Sequence, residues 1–222
     1  MAVAAAAGVT ATTPEVVLGA AVLDRKTHEV SVNPAATVPV FAASLVKVLV
    51  AVDVLGRRHS GSAVSDRDVM LITQALGPSD DEAMNVLWSR FDGPGAVERV
   101  AQQLGLADTR PPTDPSQWGE TLTSAHDVMV LYRHVLDAMA PADRDLIMDS
   151  IAAAPPIASD GFDQTFGLLD AETSADTVAK QGWMCCQGGR ITLHSAGTVG
   201  PDRRFVVVLL STQPRKAGYG GA

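Results

Sequence analysis

Ser44-Leu45-Val46-Lys47 is the first place in this chain where two reactive side chains stand at a spacing that chemistry can use. Residues three apart on a helix share a face, so the Lys47 amine can reach the Ser44 hydroxyl. A serine hydroxyl is a weak nucleophile until a neighbouring base takes its proton, and a lysine whose pKa is lowered by burial and positive surroundings can be that base. The positive end of the helix dipole favours the alkoxide that develops. The same four residues also read as a serine that caps a helix and a lysine that snorkels, its stem on apolar surface and its amine in water. Such a spacing arises by chance about once in a chain of this size, so alone it does not choose between the two.

The chain has four lysines, Lys26, Lys47, Lys180 and Lys216, and Lys180 opens the phrase Lys180-Gln181-Gly182 on a predicted strand. Between the two phrases lies Gly77-Pro78-Ser79-Asp80-Asp81-Glu82-Ala83-Met84-Asn85, a turn opening a helix with Ser79 or Asp80 as its cap. Taken singly, Ser79 reads as a cap and Lys180 as an edge-strand charge. Other site types are missing: there is no G-x-S-x-G, no Walker-type glycine loop, no G-x-G-x-x-G, no H-E-x-x-H and no spaced Cys/His set. The five histidines are scattered and read as surface or helix-end residues, so neither a metal nor a cofactor is expected.

These residues need elements to hold them. Residues 15 to 32 read as two apolar strands joined by a polar turn around Arg25 to His28, a hairpin pattern. After a loop from Asn33 to Pro39, Ala43-Ser44 opens a strongly apolar helix ending near Gly56, and a helix apolar nearly all round is a buried one. Helical patterning follows over Asp66 to Leu76, Asp80 to Arg90, Gly95 to Leu104, Ser124 to Ala138 and Pro141 to Ala153. Asp108 to Thr123 is a long Pro-rich loop of the kind usually kept for function. A Gly- and Asp-rich stretch from Ala158 to Asp176 leads into strands over Thr177 to Cys186, Arg190 to Val199 and Arg204 to Ser211, a meander with Gly-containing turns. Strands at both ends of the chain with helices between them predict an α+β fold: a five-stranded antiparallel sheet, flanked by helices, with an inserted all-α lobe.

Composition agrees with a large core and narrows the partners. Of 222 residues, 46% are hydrophobic and 19% charged, which excludes intrinsic disorder. The net charge of −8, with no Lys/Arg cluster, argues against nucleic acid as the partner. The longest apolar run, Leu45 to Leu55, is broken by Lys47 and Asp53 and is too short to cross a bilayer, so no transmembrane segment is expected. Met1 to Gly8 is Ala-rich but lacks the basic and long apolar regions of a signal peptide. The two cysteines, Cys185 and Cys186, are adjacent and are expected as a buried, inert pair on opposite faces of a strand.

In this order the three phrases resemble the signatures of the penicillin-recognising serine hydrolases: class A β-lactamases, D,D-peptidases and their relatives, with S-x-x-K, S-D-N and K-T-G. The resemblance covers nearly the whole chain. It implies the β-lactamase/transpeptidase-like fold, with residues 1–43 and 175–222 forming the sheet lobe, residues 44–174 the mainly helical lobe, and the active site between them. It makes Ser44 the acylated nucleophile, Lys47 its proton acceptor, Ser79 a proton relay to the leaving group, and Lys180 the group that holds Ser79 and attracts a substrate carboxylate. Backbone N–H groups of Ser44 and Trp183, the latter following Lys180-Gln181-Gly182, become the oxyanion hole. Asp81, Asn85, Gln181, Gly182 and Trp183 line the substrate site. The substrate implied is a small molecule or a peptidoglycan-like fragment, and the protein an exported one of the periplasm, envelope or medium whose signal is absent from this chain.

Three departures qualify the resemblance. Asp81 stands where the family has Asn, exchanging an amide donor for a carboxylate that repels an anionic substrate. Gln181 replaces the Thr or Ser that contacts the substrate carboxylate, a bulkier donor at that position. The loop from Asp108 to Thr123 has no close match to the family's deacylating Glu motif; Asp114, before Pro115, is the best candidate base, and it also reads as a solvated turn residue. These changes imply atypical or weak β-lactam hydrolysis, or a catalytically silent protein that binds a cell-wall fragment or a protein partner. Few, Gly-rich residues follow Ser211, so the terminal helix that relatives lay on the outer sheet face is not expected; the chain is then either truncated or a homodimer that pairs through the bare face.

Overall fold

A computed structural model of the chain describes residues 15–170 and 176–219; the Ala-rich opening read for a signal lies outside them. β1 (Val17–Asp24) and β2 (Val30–Val32) form the expected hairpin, its turn closed by His28 N–H donating to Asp24 O at 2.7 Å. β5 (Val178–Cys185), β6 (Arg190–Val199) and β7 (Phe205–Pro214) form the meander, and β7 pairs with β1. The order β2-β1-β7-β6-β5 is antiparallel throughout, so the chain's two ends share one sheet and β5 is an edge. The expected α+β architecture is therefore present. A second, two-stranded pairing was not expected: β3 (Val40–Phe41) with β4 (Leu122–Thr123), which ties the end of the long loop to the segment before Ser44.

A 3-10 turn, Ala43–Leu45, leads into α1 (Val46–Arg58), whose residues 46 to 55 are all buried. Gly56 does not end this helix, and the two arginines that follow sit on its negative C-terminal pole. Asp53 is tolerated inside the apolar run because Arg99 grips both its oxygens, at 2.9 and 2.8 Å. α2 (Asp66–Leu76) opens on a Ser65/Asp68 capping box. α3 (Asp81–Arg90) is capped by Asp80, whose Oδ1 accepts from Ala83 N–H at 2.8 Å, and that leaves the Ser79 side chain free for other work. α4 (Gly93–Leu104), α5 (Ala125–Asp137) and α6 (Pro141–Ala152) complete the helices among the described residues.

α5 packs on β1, β6 and β7, and its buried Tyr132 hydroxyl donates to Ala196 O at 2.8 Å. One contiguous core runs from Leu23, Val208 and Leu210 of the sheet through α1 to Ile72, Met84 and Val97. Among the described residues no helix is long and apolar enough to cross a membrane. The cysteines differ from expectation. β5 ends at Cys185, which is exposed and disulfide-bonded to Cys186; the second cysteine falls outside the strand, so the two do not alternate across a buried sheet.

His194, on β6 beneath the edge strand, is wholly buried between Phe41 O, 2.8 Å from Nε2, and Ser211 N–H, which donates to Nδ1 at 3.2 Å. These partners select the neutral tautomer protonated on Nε2. Burial lowers its pKa from the ordinary 6.5 to about 4. The unfolded chain therefore binds a proton that the folded one refuses, so stability present above pH 6.5 is lost as pH falls through about 4. The loss expected from this group is about 3 kcal/mol. Comparing urea unfolding of wild type and His194→Gln between neutral and mildly acid pH checks this: the wild-type curve should fall more steeply.

Candidate active site

Ala43, immediately before Ser44, has a φ of 46°, in the left-handed region that costs a β-carbon-bearing residue about 1–3 kcal/mol. Ser44 follows at the first turn of the helix, buried yet lining a cleft of about 470 Å³. β5 passes directly behind this turn. A β-carbon on Gly182 would lie 3.3 Å from Ala42 O and 3.5 Å from the His194 β-carbon, so glycine is what allows the strand so close. The approach brings Trp183 into the cleft wall beside Ser44.

Opposite the strand, Ser79 has a φ of 58° in the turn that ends at the Asp80 cap. Its hydroxyl is the meeting point of both lysines: Lys180 Nζ lies 2.7 Å and Lys47 Nζ 3.2 Å from Ser79 Oγ. Lys180 also donates to Gln181 O at 3.0 Å and has no carboxylate partner among the described residues. Lys47 donates to Ser79 O at 2.8 Å and to Asp81 Oδ1 at 2.6 Å, so the three protons of its ammonium are matched by three acceptors. Among the described residues none of these bonds reaches Ser44.

The electrostatics follow from burial. The Lys47 side chain is 0% exposed, and desolvation lowers its pKa below the usual lysine range, with the Asp81 carboxylate partly offsetting that. Lys180 is pushed down much further, first by complete burial and then by the charge of Lys47. Burial thus disfavours the charged form of both amines, and the Asp81 carboxylate favours charge on Lys47.

The remaining expected residues are placed as follows. Asp81 and Asn85 line the cleft, and Asn85 Oδ1 accepts from the Trp118 indole at 2.8 Å. Trp118, from the long loop, covers Lys47, its ring centroid 5.0 Å from Nζ. Gln181 is not presented to substrate: it is 1% exposed, and its amide donates to Gln164 O, at 2.9 Å, and to Phe166 O. A side chain long enough to bridge those two carbonyls turns away from the site where a short hydroxyl would have faced a ligand. Asp114 does not line the cleft; its Oδ1 accepts from the backbone and hydroxyl of Ser116 in an exposed turn. Glu120 accepts from Gln187 at 2.6 Å and also lies outside the lining.

Asp160 and Tyr219 were not anticipated. Both line the cleft, with Asp160 accepting from the Trp183 indole at 2.9 Å. Trp183 stacks on Phe162 at 4.7 Å, and Tyr219 meets the same ring edge-on at 5.0 Å. The Gly/Asp-rich stretch from Ala158 was visible in the sequence, but nothing in it marked which carboxylate would reach the strand.

No protein-family model matches the chain. Among curated proteins it is 36% identical over 201 residues to the "Putative lipoprotein LppW" of Mycobacterium tuberculosis (strain ATCC 25618 / H37Rv) and, equally, of Mycobacterium bovis; the match takes in 89% of this chain and 63% of the relative. The chain thus spans less than two thirds of the curated relatives it matches. Among solved structures, a class A β-lactamase from Mycobacterium abscessus superposes with a TM-score of 0.73 at 18% identity, covering 100% of this chain and 94% of that one. A β-lactamase from Chitinophaga pinensis DSM 2588 gives 0.74 at 13% identity, covering 95% and 89%. An ancestral class A β-lactamase gives 0.70 at 21%, covering 96% and 91%.

Proposed function

We propose, with the class A β-lactamase fold as premise, that this protein is an exported cell-envelope serine hydrolase of the β-lactamase/D,D-peptidase type that forms an acyl-enzyme on Ser44. The observation that carries this reading is the convergence of two buried lysines on the Ser79 hydroxyl. Removing an ammonium from water costs several kcal/mol, and Lys180 makes no ion pair among the described residues to offset it. Such an arrangement is costly as architecture and useful as a proton relay.

In the proposed reaction Ser44 Oγ attacks the carbonyl carbon of an ester or amide and its proton passes to the Lys47 amine. The oxyanion is held by the N–H groups of Ser44 and Trp183. Ser79, between Lys47 and Lys180, carries a proton to the leaving alcohol or amine, which departs as the C–O or C–N bond breaks and leaves an ester on Ser44. Two features make the cycle slow. Lys47 must leave Asp81 before it can serve Ser44, and no long-loop carboxylate lines the cleft to activate water for deacylation. Weak or atypical β-lactam turnover follows, and the relatives' naming as lipoproteins supports the envelope assignment.

A second reading, a catalytically silent protein that holds a cell-wall fragment or a protein partner in the same cleft, is favoured by the Lys47–Asp81 pair itself. Intact-protein mass spectrometry after incubation with a panel of β-lactams and a fluorophosphonate separates the two. A stable adduct on wild type and none on Ser44→Ala is the expected result. Absence of any adduct would transfer the assignment to the silent binder.

A further inference from the structure

The charges that face the cleft are the reverse of those a β-lactam carboxylate needs. Among the described residues its lining includes the carboxylates of Asp81 and Asp160 and no Lys, Arg or His. Lys47 and Lys180 lie behind this wall, each 1% exposed, with their donors directed to Ser79, Asp81 and the Gln181 carbonyl. Gln181, at the position of the family's carboxylate contact, has spent its amide N–H₂ on two backbone carbonyls, and its oxygen has no hydrogen-bond partner among the described residues. An amide flip would set that oxygen against the same carbonyls, so the orientation is fixed.

Asp160 is exposed, and among the described residues no cation lies within ion-pair distance of it. Its carboxylate is aimed rather than loose: Oδ2 takes the Trp183 indole at 2.9 Å and Oδ1 takes Phe162 N–H at 3.0 Å. Trp183 and Tyr219 stand beside it as aromatic walls braced on Phe162. Burial, and after it the charge of Asp160, raise the pKa of the Tyr219 phenol. A carboxylate fixed among aromatic walls at one end of a cleft is the chemistry that selects an organic cation.

We infer that the substrate is an acyl donor, an ester or amide, carrying a protonated amine that lies against Asp160, Trp183 and Tyr219 while its acyl carbon faces Ser44. This inference rests on the acyl-transfer reading, and its test is built to fail separately from it. Non-covalent binding to full-length Ser44→Ala is measured by calorimetry and by tryptophan fluorescence, since two of the three tryptophans line the cleft. The probes are the α-methyl esters of N-acetyl-lysine, N-acetyl-norleucine and N-acetyl-glutamate, matched in shape and differing in charge.

The lysine ester should bind about fivefold or more tightly than the norleucine ester, and the glutamate ester more weakly than both. Adding Asp160→Asn, which removes the charge and keeps an oxygen for the Trp183 indole, should erase the preference for lysine over norleucine. High salt should narrow the preference in the same direction. Glutamate binding as tightly as lysine, a preference that survives Asp160→Asn, or no binding by any probe overturns the inference. Fluorophosphonate labelling of wild type reports the acyl-transfer reading independently, so labelling without cation preference sinks this inference alone.

Discussion

Asp81→Asn should accelerate acylation of Ser44 by about 10- to 100-fold, at or below the lower end of the roughly 10²–10⁴-fold that a correctly placed general base contributes. The Lys47–Asp81 contact is 2.6 Å long and ties down one of three ammonium protons in a pocket that otherwise disfavours charge. An amide cannot hold the ammonium as a carboxylate does, so the Lys47 pKa, already lowered by burial, drops further and the amine spends more time unprotonated and free to turn to Ser44. The sign is testable: the rise of acylation rate with pH should move to lower pH in the variant. Timed mass spectrometry of fluorophosphonate adducts at several pH values measures both quantities. An unchanged rate with an unmoved pH profile would mean that Asp81 does not restrain Lys47. Combining the change with Gln181→Thr and assaying nitrocefin asks in addition whether anionic substrates regain access.

Lys180→Met should have the opposite character, raising stability while abolishing acylation. Lys180 is completely buried, without a carboxylate partner among the described residues, and beside a second ammonium. Replacing buried charge by an apolar side chain of similar length often stabilises, and about 2 kcal/mol is expected here at neutral pH. Because burial holds its folded pKa well below the ordinary 10.5, the unfolded chain holds this proton more tightly than the folded chain does. Raising pH toward 10.5 removes that advantage of the unfolded state, so wild type gains on the variant and the gap between them closes. Urea unfolding of both proteins at neutral and alkaline pH reads this directly. A variant less stable than wild type by the same amount at every pH would refute the assignment of a cost to Lys180.

The order of strands and helices was legible because apolar periodicity changes cleanly at both ends of the helical block, and the burial of α1 was visible in its near-continuous apolar run. The gathering of Ser44, Ser79, Lys47 and Lys180 in one region was implied by the family resemblance that the three phrases carry, not by periodicity or spacing. What each amine would touch was not implied. Residues three apart guarantee that Lys47 can reach Ser44, yet the same side chain also reaches Ser79 and Asp81, and the choice depends on a carboxylate 34 positions away. Gln181 and Asp114 were misjudged for a related reason. The carbonyls of Gln164 and Phe166 that capture Gln181, and the local turn that takes up Asp114, belong to irregular segments whose course no periodicity encodes. Trp118 and Asp160 come from such segments too, and they form much of the cleft surface.

Trp118 is pinned to Asn85 and spread over Lys47, and no carboxylate of its loop lines the cleft beside it. On the proposed reading, an acyl-enzyme that forms much faster than water clears it behaves over that interval as a reagent and not as a catalyst. The yield of its reaction would be one per molecule, set by the amount of protein and not by time, and excess substrate would change how soon saturation arrives without changing its level. On that reading such a protein would record recent exposure to its acyl donor, reset by slow deacylation or by fresh synthesis.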